Sequence, residues 1–139
     1  MIQIIAGEKG KGKTKIILDK ANSDALTSDG CVLYIDKNSK HMYELNNKIR
    51  LINVKDYFID GAKEFVGFLS GMISQNHDIS SIYLDSFLTC ANIGVAEMDD
   101  VLKKLEVLSA SFKVDFILSV SANANDLSAE TRQKVTVAL

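Results

Sequence analysis

The chain has no proline and no tryptophan, and only two cysteines, two histidines and two arginines among 139 residues. Without proline, low-complexity tracts or a repeat of solenoid period, nothing marks an internal linker, so one domain is expected. Cys31 and Cys90 stand far apart, each in an apolar run, and form no CxxC pair. That excludes a disulfide scaffold and a zinc ribbon and leaves reduced core thiols as the expectation. No apolar run approaches the roughly 20 residues of a membrane span. The opening Met-Ile-Gln-Ile-Ile-Ala-Gly-Glu lacks the basic head and long apolar stretch of a signal peptide, so a cytoplasmic location without membrane insertion is expected. Lysine and arginine are missing altogether from Glu64 to Leu102, where six acids stand, whereas the first twenty residues hold five lysines against two acids. The sum is a net charge of -2, which gives no global attraction to nucleic acid.

What is present is apolar and ordered. With 47% apolar and 24% charged residues, the chain has the composition of a globular domain. Its length suffices to bury about 68% of its unfolded surface. Short β-rich runs occur at Ile2 to Ala6, Cys31 to Asp36, Ile49 to Val54, Ser81 to Asp85, Val114 to Ser121 and Val135 to Leu139. Segments of helical period lie between them, at Thr14 to Leu26, at Asp60 to Gln75 with Asp60 as N-cap, and at Glu97 to Phe112 with Val101, Leu102, Leu105, Leu108 and Phe112 on one stripe. Segments 37–47 and 126–133 are ambiguous. Continuous apolar strands alternating with amphipathic helices predict a single-domain three-layer α/β sandwich with a mostly parallel central sheet. In such sheets ligands sit at the carboxyl ends of the strands.

There the first strand runs into Gly7-Glu8-Lys9-Gly10-Lys11-Gly12-Lys13-Thr14, a full GxxxxGK(S/T) match between a strand and a helix. Glycines permit the backbone to turn successive N–H groups inward, at a helix start that carries partial positive charge. Gly7, Gly10 and Gly12 are expected to serve in this way. Lys13 has the reach to meet the β and γ phosphates, and the Thr14 hydroxyl suits a magnesium ligand. Lys9, Lys11 and Lys15 either add to this field or are solvated.

A magnesium site also calls for an acid at the end of a buried strand, and Asp85 closes Ile79-Ser80-Ser81-Ile82-Tyr83-Leu84. Ser86 follows it, so no second acid stands directly beside Asp85. Asp36 closes the second strand, either as a base toward an attacking water or as a cap for the segment after it. The run Ser121-Ala122-Asn123-Ala124-Asn125-Asp126 offers either γ-phosphate contacts or plain turn chemistry. His41 and His77 have no partner at ligand spacing and are expected at the surface.

With the glycine loop at residues 7 to 14 and Asp85 at a later strand end, the chain resembles the P-loop NTPase superfamily, along essentially its whole length. It looks most like a minimal RecA-like core of the kind found in the twitching-motility ATPases, with Tyr34-Ile35-Asp36 similar to that core's second strand. The resemblance implies ATP and Mg2+ as ligands, with Thr14 and Asp85 at the metal, and weak or partner-stimulated ATPase activity. It also implies a protein partner or self-association. No DxxG follows Asp85 and no NKxD occurs, which disfavours GTPases; Glu8 stands where partitioning ATPases carry a signature lysine. RecA-like cores place a catalytic glutamate two residues beyond the aspartate that Asp36 matches, and here that position is Asn38. A non-hydrolysing nucleotide-sensing module is therefore the alternative. A small phosphotransferase comes third, because Arg50 and Arg132 are too few for an arginine lid. Arg132 is either a finger acting on a neighbouring subunit or a solvated helix residue.

Overall fold

Six strands and five α-helices make up the chain in the computed structural model, which describes residues 1–139; they alternate except that no α-helix separates the second and third strands and two helices follow the fourth. The strands are β1 (Ile2–Gly7), β2 (Cys31–Asp36), β3 (Ile49–Asn53), β4 (Ile79–Leu84), β5 (Asp115–Ser121) and β6 (Val135–Ala138). They form one sheet in the order β3-β2-β4-β5-β1-β6, and every ladder is parallel. The helices are α1 (Lys13–Thr27), α2 (Ala62–Gln75), α3 (Phe87–Ala91), α4 (Met98–Phe112) and α5 (Ala129–Arg132).

Both faces of the sheet are covered, which is why its central strands read as unbroken apolar runs. On one face α1 lays Ile17, Leu18, Ala21 and Ala25 against Ile5, Val32, Tyr34, Tyr83 and Ile117. On the other, Phe65, Leu69 and Ile73 of α2 and Val101, Leu102 and Leu105 of α4 close a larger core over Ile4, Leu33, Ile82 and Leu118. Phe65 meets Phe87 of α3 edge-on at 5.9 Å. Truncating such a buried ring to alanine costs about 3–5 kcal/mol. The fold is thus the expected three-layer α/β sandwich.

Several local expectations are corrected. Helix α2 begins at Ala62, with Gly61 as N-cap at φ 99° rather than Asp60. The chain needs a left-handed residue there, which glycine supplies without strain. The Asp60 carboxylate instead accepts a hydrogen bond from Asn92 Nδ2 at 2.6 Å. Phe112 is 52% exposed, and Cys31 is only half-buried, so neither is a core residue. Helix α3 was not anticipated, because five residues are too few to carry a period. The ambiguous segment 37–47 holds one 3-10 turn, Met42–Glu44, and the segment 126–133 forms α5.

The direction of travel across the sheet fixes where a ligand fits. From β1 the chain moves across to β2 and then β3, and afterwards it comes back through β4 and β5 to β6. Right-handed crossovers that run in opposite directions must lie on opposite faces. Accordingly α1 lies on one face, joined by the β2–β3 connection through Asn22, whose side chain bonds Glu44 O and Asn46 N. Helices α2 and α4 lie on the other. Neighbours β1 and β5, and neighbours β2 and β4, therefore send their carboxyl ends to opposite faces. A crevice opens at such points.

Candidate functional site

The glycine loop follows β1 at that end of the sheet. Gly10 (φ 86°) and Gly12 (φ 93°) both take the left-handed backbone, and Gly12 is the N-cap of α1 with no side-chain cap bond. The first N–H groups of α1 are thus left without a side-chain acceptor at the positive end of its dipole. Gly7 differs from expectation, since its φ is not positive. Its constraint is close approach: a Cβ there would stand 3.0 Å from the Leu139 Cβ. Glu8, Lys9, Gly10, Lys11 and Gly12 are exposed.

Lys13 differs from the five exposed residues before it, being only 7% exposed. Its ammonium donates to the Glu8 carbonyl at 3.0 Å, which leaves two N–H bonds to give. Burial pulls its pKa below the usual lysine range; the charge of Asp85 opposes that shift, and Lys37 reinforces it. Thr14, half-buried on the next position, lines a crevice of about 400 Å3 between α1 and the β2–β3 connection. Its far wall carries His41, whose Nδ1 lies 3.1 Å from Glu44 Oε1, so His41 is not a free surface residue.

Asp85, immediately after β4, is 2% exposed and held at both oxygens. Tyr34 Oη donates to Oδ2 at 2.9 Å, and Ser119 Oγ donates to Oδ1 at 2.6 Å. Ser119 in turn accepts the Ser86 N–H at 2.7 Å. Ser86 adopts φ 55°, a strained conformation for a residue with a Cβ, so the chain turns sharply out of β4. Burial and the Asp85 charge drive the Tyr34 hydroxyl far above its ordinary value, so it remains a proton donor. Its ring lies 6.5 Å from that of Tyr83, nearly parallel, and the Tyr83 hydroxyl donates to Asp24 Oδ2 on α1 at 2.9 Å.

Asp36 and Asp85 directly follow the paired residues Ile35 and Leu84, so two carboxylates leave adjacent strands at one level. Asp36 is 2% exposed, and its Oδ1 accepts the Lys37 N–H at 2.7 Å. Burial, reinforced by the charge of Asp85, raises its pKa to about 6, against opposition from that N–H, His41 and Lys37. Asp36 caps its own turn while Oδ2 stays unengaged. Both expected roles are compatible with this geometry.

The sheet therefore gathers Lys13, Thr14, Asp36 and Asp85 on three neighbouring elements. Other candidates separate from them. The Asn123 side chain caps the following turn by accepting from Asn125 N at 2.9 Å, as plain turn chemistry would have it. Asn38 Oδ1 accepts from Lys40 N at 3.0 Å in the same way. Arg50 lies on edge strand β3, with three strands between it and β1. Arg132 is exposed on α5, and Lys15 pairs loosely with Asp19 at 3.8 Å. Tyr34 and Ser119 were missed. Their signal was available: a lone hydroxyl inside Phe116–Val120, and a strand tyrosine whose buried O–H must find a partner.

No cluster of three or more histidine, cysteine or acidic side chains is placed to cage a metal. A hard cation that takes most of its ligands from phosphate and water fits this donor set of one hydroxyl and one or two carboxylates. No helix is long and apolar enough to cross a membrane. Neither a scan of protein-family models nor a search of curated proteins finds a match to the chain.

Proposed function

We propose that the chain is a magnesium-dependent ATP-binding protein of the P-loop NTPase kind, built on a minimal RecA-like core, with slow or partner-stimulated ATPase activity. The observation that carries this reading is the buried Lys13 at the start of α1, lying in the field of an Asp85 carboxylate fixed by Tyr34 and Ser119. The left-handed Gly10 and Gly12 support a backbone nest for phosphate oxygens. In this reading Lys13 donates its two remaining N–H bonds to the β and γ phosphates. Thr14 Oγ1 and Asp85 hold the magnesium, Asp85 through water. The ion, when bound, offsets the negative charge that builds on the phosphates during transfer.

Asp36 is the proton acceptor on this account. With a pKa of about 6 it is mostly ionised at neutral pH, yet basic enough to take a proton from an attacking water at Oδ2. The preference for adenine rests on the absence of a guanine-reading motif in the sequence. The turn bond that engages Asn38 favours the second reading, a module that binds nucleotide and presents a changed surface without turnover.

Thermal unfolding with ATP, ADP or GTP, each with and without magnesium, tests the proposal on wild type and Lys13→Ala. A ligand at 100 times its dissociation constant stabilises by about 2.7 kcal/mol. For this length the midpoint should rise by roughly 5–15 °C. The rise should need magnesium and vanish in Lys13→Ala. No rise with any nucleotide at millimolar concentration overturns the reading. Where binding is seen, phosphate release that Asp36→Asn abolishes selects the ATPase over the sensing module.

A further inference from the structure

Strand β3 is one open edge of the sheet, and it pairs only with β2. Alternate peptide groups along its outer side are therefore without a strand partner. Beside that edge lies the largest groove of the molecule, about 680 Å3, floored by Ile52, Phe68 and Met72 and running along α2. Its volume falls in the range of built binding sites. Gly67 and Gly71 of α2 face it, and a Cβ on either would meet nothing within 4 Å. Tyr57, 52% exposed and packed on Phe68 at 5.3 Å between ring centres, forms one end wall, and the neighbouring Phe58 is fully exposed.

Charge identifies what fits. The register places Arg50 opposite Leu33 and Ile52 opposite Ile35, on the α2 face of the sheet, so Arg50 projects over the groove. None of the chain's four ion pairs includes Arg50. From Asn46 to Val54 the edge carries Lys48 and Arg50 and no acid, and the one acid that lines the groove, Asp56, lies beyond the strand's carboxyl end in the turn Val54–Asp56. A second copy of this chain offering the same edge across a two-fold axis would set these cations against their own images. An acidic strand has no such conflict.

We propose that the β3–α2 groove is a docking site for an extended segment of a protein partner, which adds to the sheet at β3, buries alternate apolar side chains over Phe68, Met72, Gly67 and Gly71, and presents a carboxylate to Arg50. Strand addition takes affinity from main-chain hydrogen bonds and specificity from every second side chain. The site lies three strands from the glycine loop and does not depend on nucleotide binding.

The probe is a fluorescent nine-residue peptide with valine at its first, third, seventh and ninth positions, glutamate at its fifth and threonine between, so that the valines and the carboxylate share the face that meets the groove; its counterpart with lysine at the fifth position and a version N-methylated at alternate residues are the controls. The full chain should bind the glutamate peptide saturably, by fluorescence anisotropy, and neither control. Arg50→Glu, a change at an exposed position, should weaken it by tenfold or more and confer binding of the lysine peptide. Gly71→Leu, which favours helix while filling the groove, should abolish binding with the thermal midpoint maintained. No saturable binding by wild type, equal binding of the lysine peptide, or binding indifferent to both substitutions overturns the proposal. So does wild-type dimerisation in sedimentation that Gly71→Leu removes, because a second copy then covers the groove.

Discussion

Two aspartates in this chain are each gripped by two hydroxyls, and they differ in nearly everything else. Asp85 takes its bonds from Tyr34 and Ser119, at the carboxyl end of a central strand, where it is 2% exposed. Asp99 takes its bonds from Ser128 at 2.8 Å and from Thr131, in the first turn of α4, where it is half-buried. Those two hydroxyl bonds hold the Asp99 carboxyl below its usual range. Its charge is satisfied by water and by the helix end, so the cluster acts as a staple between α4 and α5. Asp85 is shielded from bulk solvent and lies in the field of a buried lysine and a second buried carboxylate. Hydroxyl bonds therefore do not mark a site. What marks one is charge buried where the topology already opens a crevice.

The comparison breaks if Asp85 proves as dispensable as Asp99. Asp85→Ala removes the acceptor of two buried hydroxyls and the carboxylate that offsets the desolvation of Lys13. The expected loss is about 3–5 kcal/mol in denaturant unfolding, the cost of leaving a buried charge unpaired. Asp85→Asn, which retains an acceptor oxygen, should lose less. A loss under 1 kcal/mol for the alanine variant would mean that the lysine and hydroxyls find other partners, and Asp85 would then be a surface-like residue despite its burial.

Most of the fold was legible because it depends on period and composition. The six strands follow from β-branched apolar runs, and α1 and α4 from stripes such as Val101, Leu102 and Leu105. Loop residues 7–14 and Asp85 were legible because spacing along the chain carries them. The companions of Asp85 were not, since Tyr34 and Ser119 lie on β2 and β5 and Asp85 directly follows β4, and no local pattern encodes the order of those strands. The role of Gly7 was misjudged for the same reason. Its neighbour Leu139 is 132 residues away in sequence and in contact only through the β1–β6 pairing. Asp60 was misjudged as a cap because the positive φ of Gly61 is a property of how α2 docks rather than of its composition.

Asp36 sharpens the comparison through pH. Its folded pKa of about 6 lies above the ordinary 3.8, so the folded protein holds this proton more tightly than the unfolded chain does. The contribution is complete below pH 4 and is lost as pH rises through 6. A neutral isostere keeps it at every pH. Asp36→Asn should therefore stabilise the protein by about 2–3 kcal/mol at pH 8, the free-energy equivalent of a pKa that moves from 3.8 to about 6. The advantage should shrink toward zero near pH 4. A gain that is equal at both pH values would place its origin in packing and not in a buried charge.

Asp99 should follow the opposite slope with a smaller amplitude. Its carboxyl is held down in the folded state, so its contribution is present above the usual carboxylate range and fades as pH falls through the folded value. Solvent reaches the cluster, and Ser128 also accepts the Thr131 N–H at 3.1 Å, so the cap of α5 survives loss of the acid. Asp99→Ala should cost about 0.5–1 kcal/mol at pH 7, the worth of an ordinary hydrogen bond, and less at pH 3. Hydrogen exchange gives the finer measure. Protection should fall in α5 and the β6 strand after it, while amides of β2, β4 and β5 stay as in wild type. If Asp99→Ala instead opens the central strands, the staple is coupled to the site, and the division drawn between the two aspartates fails.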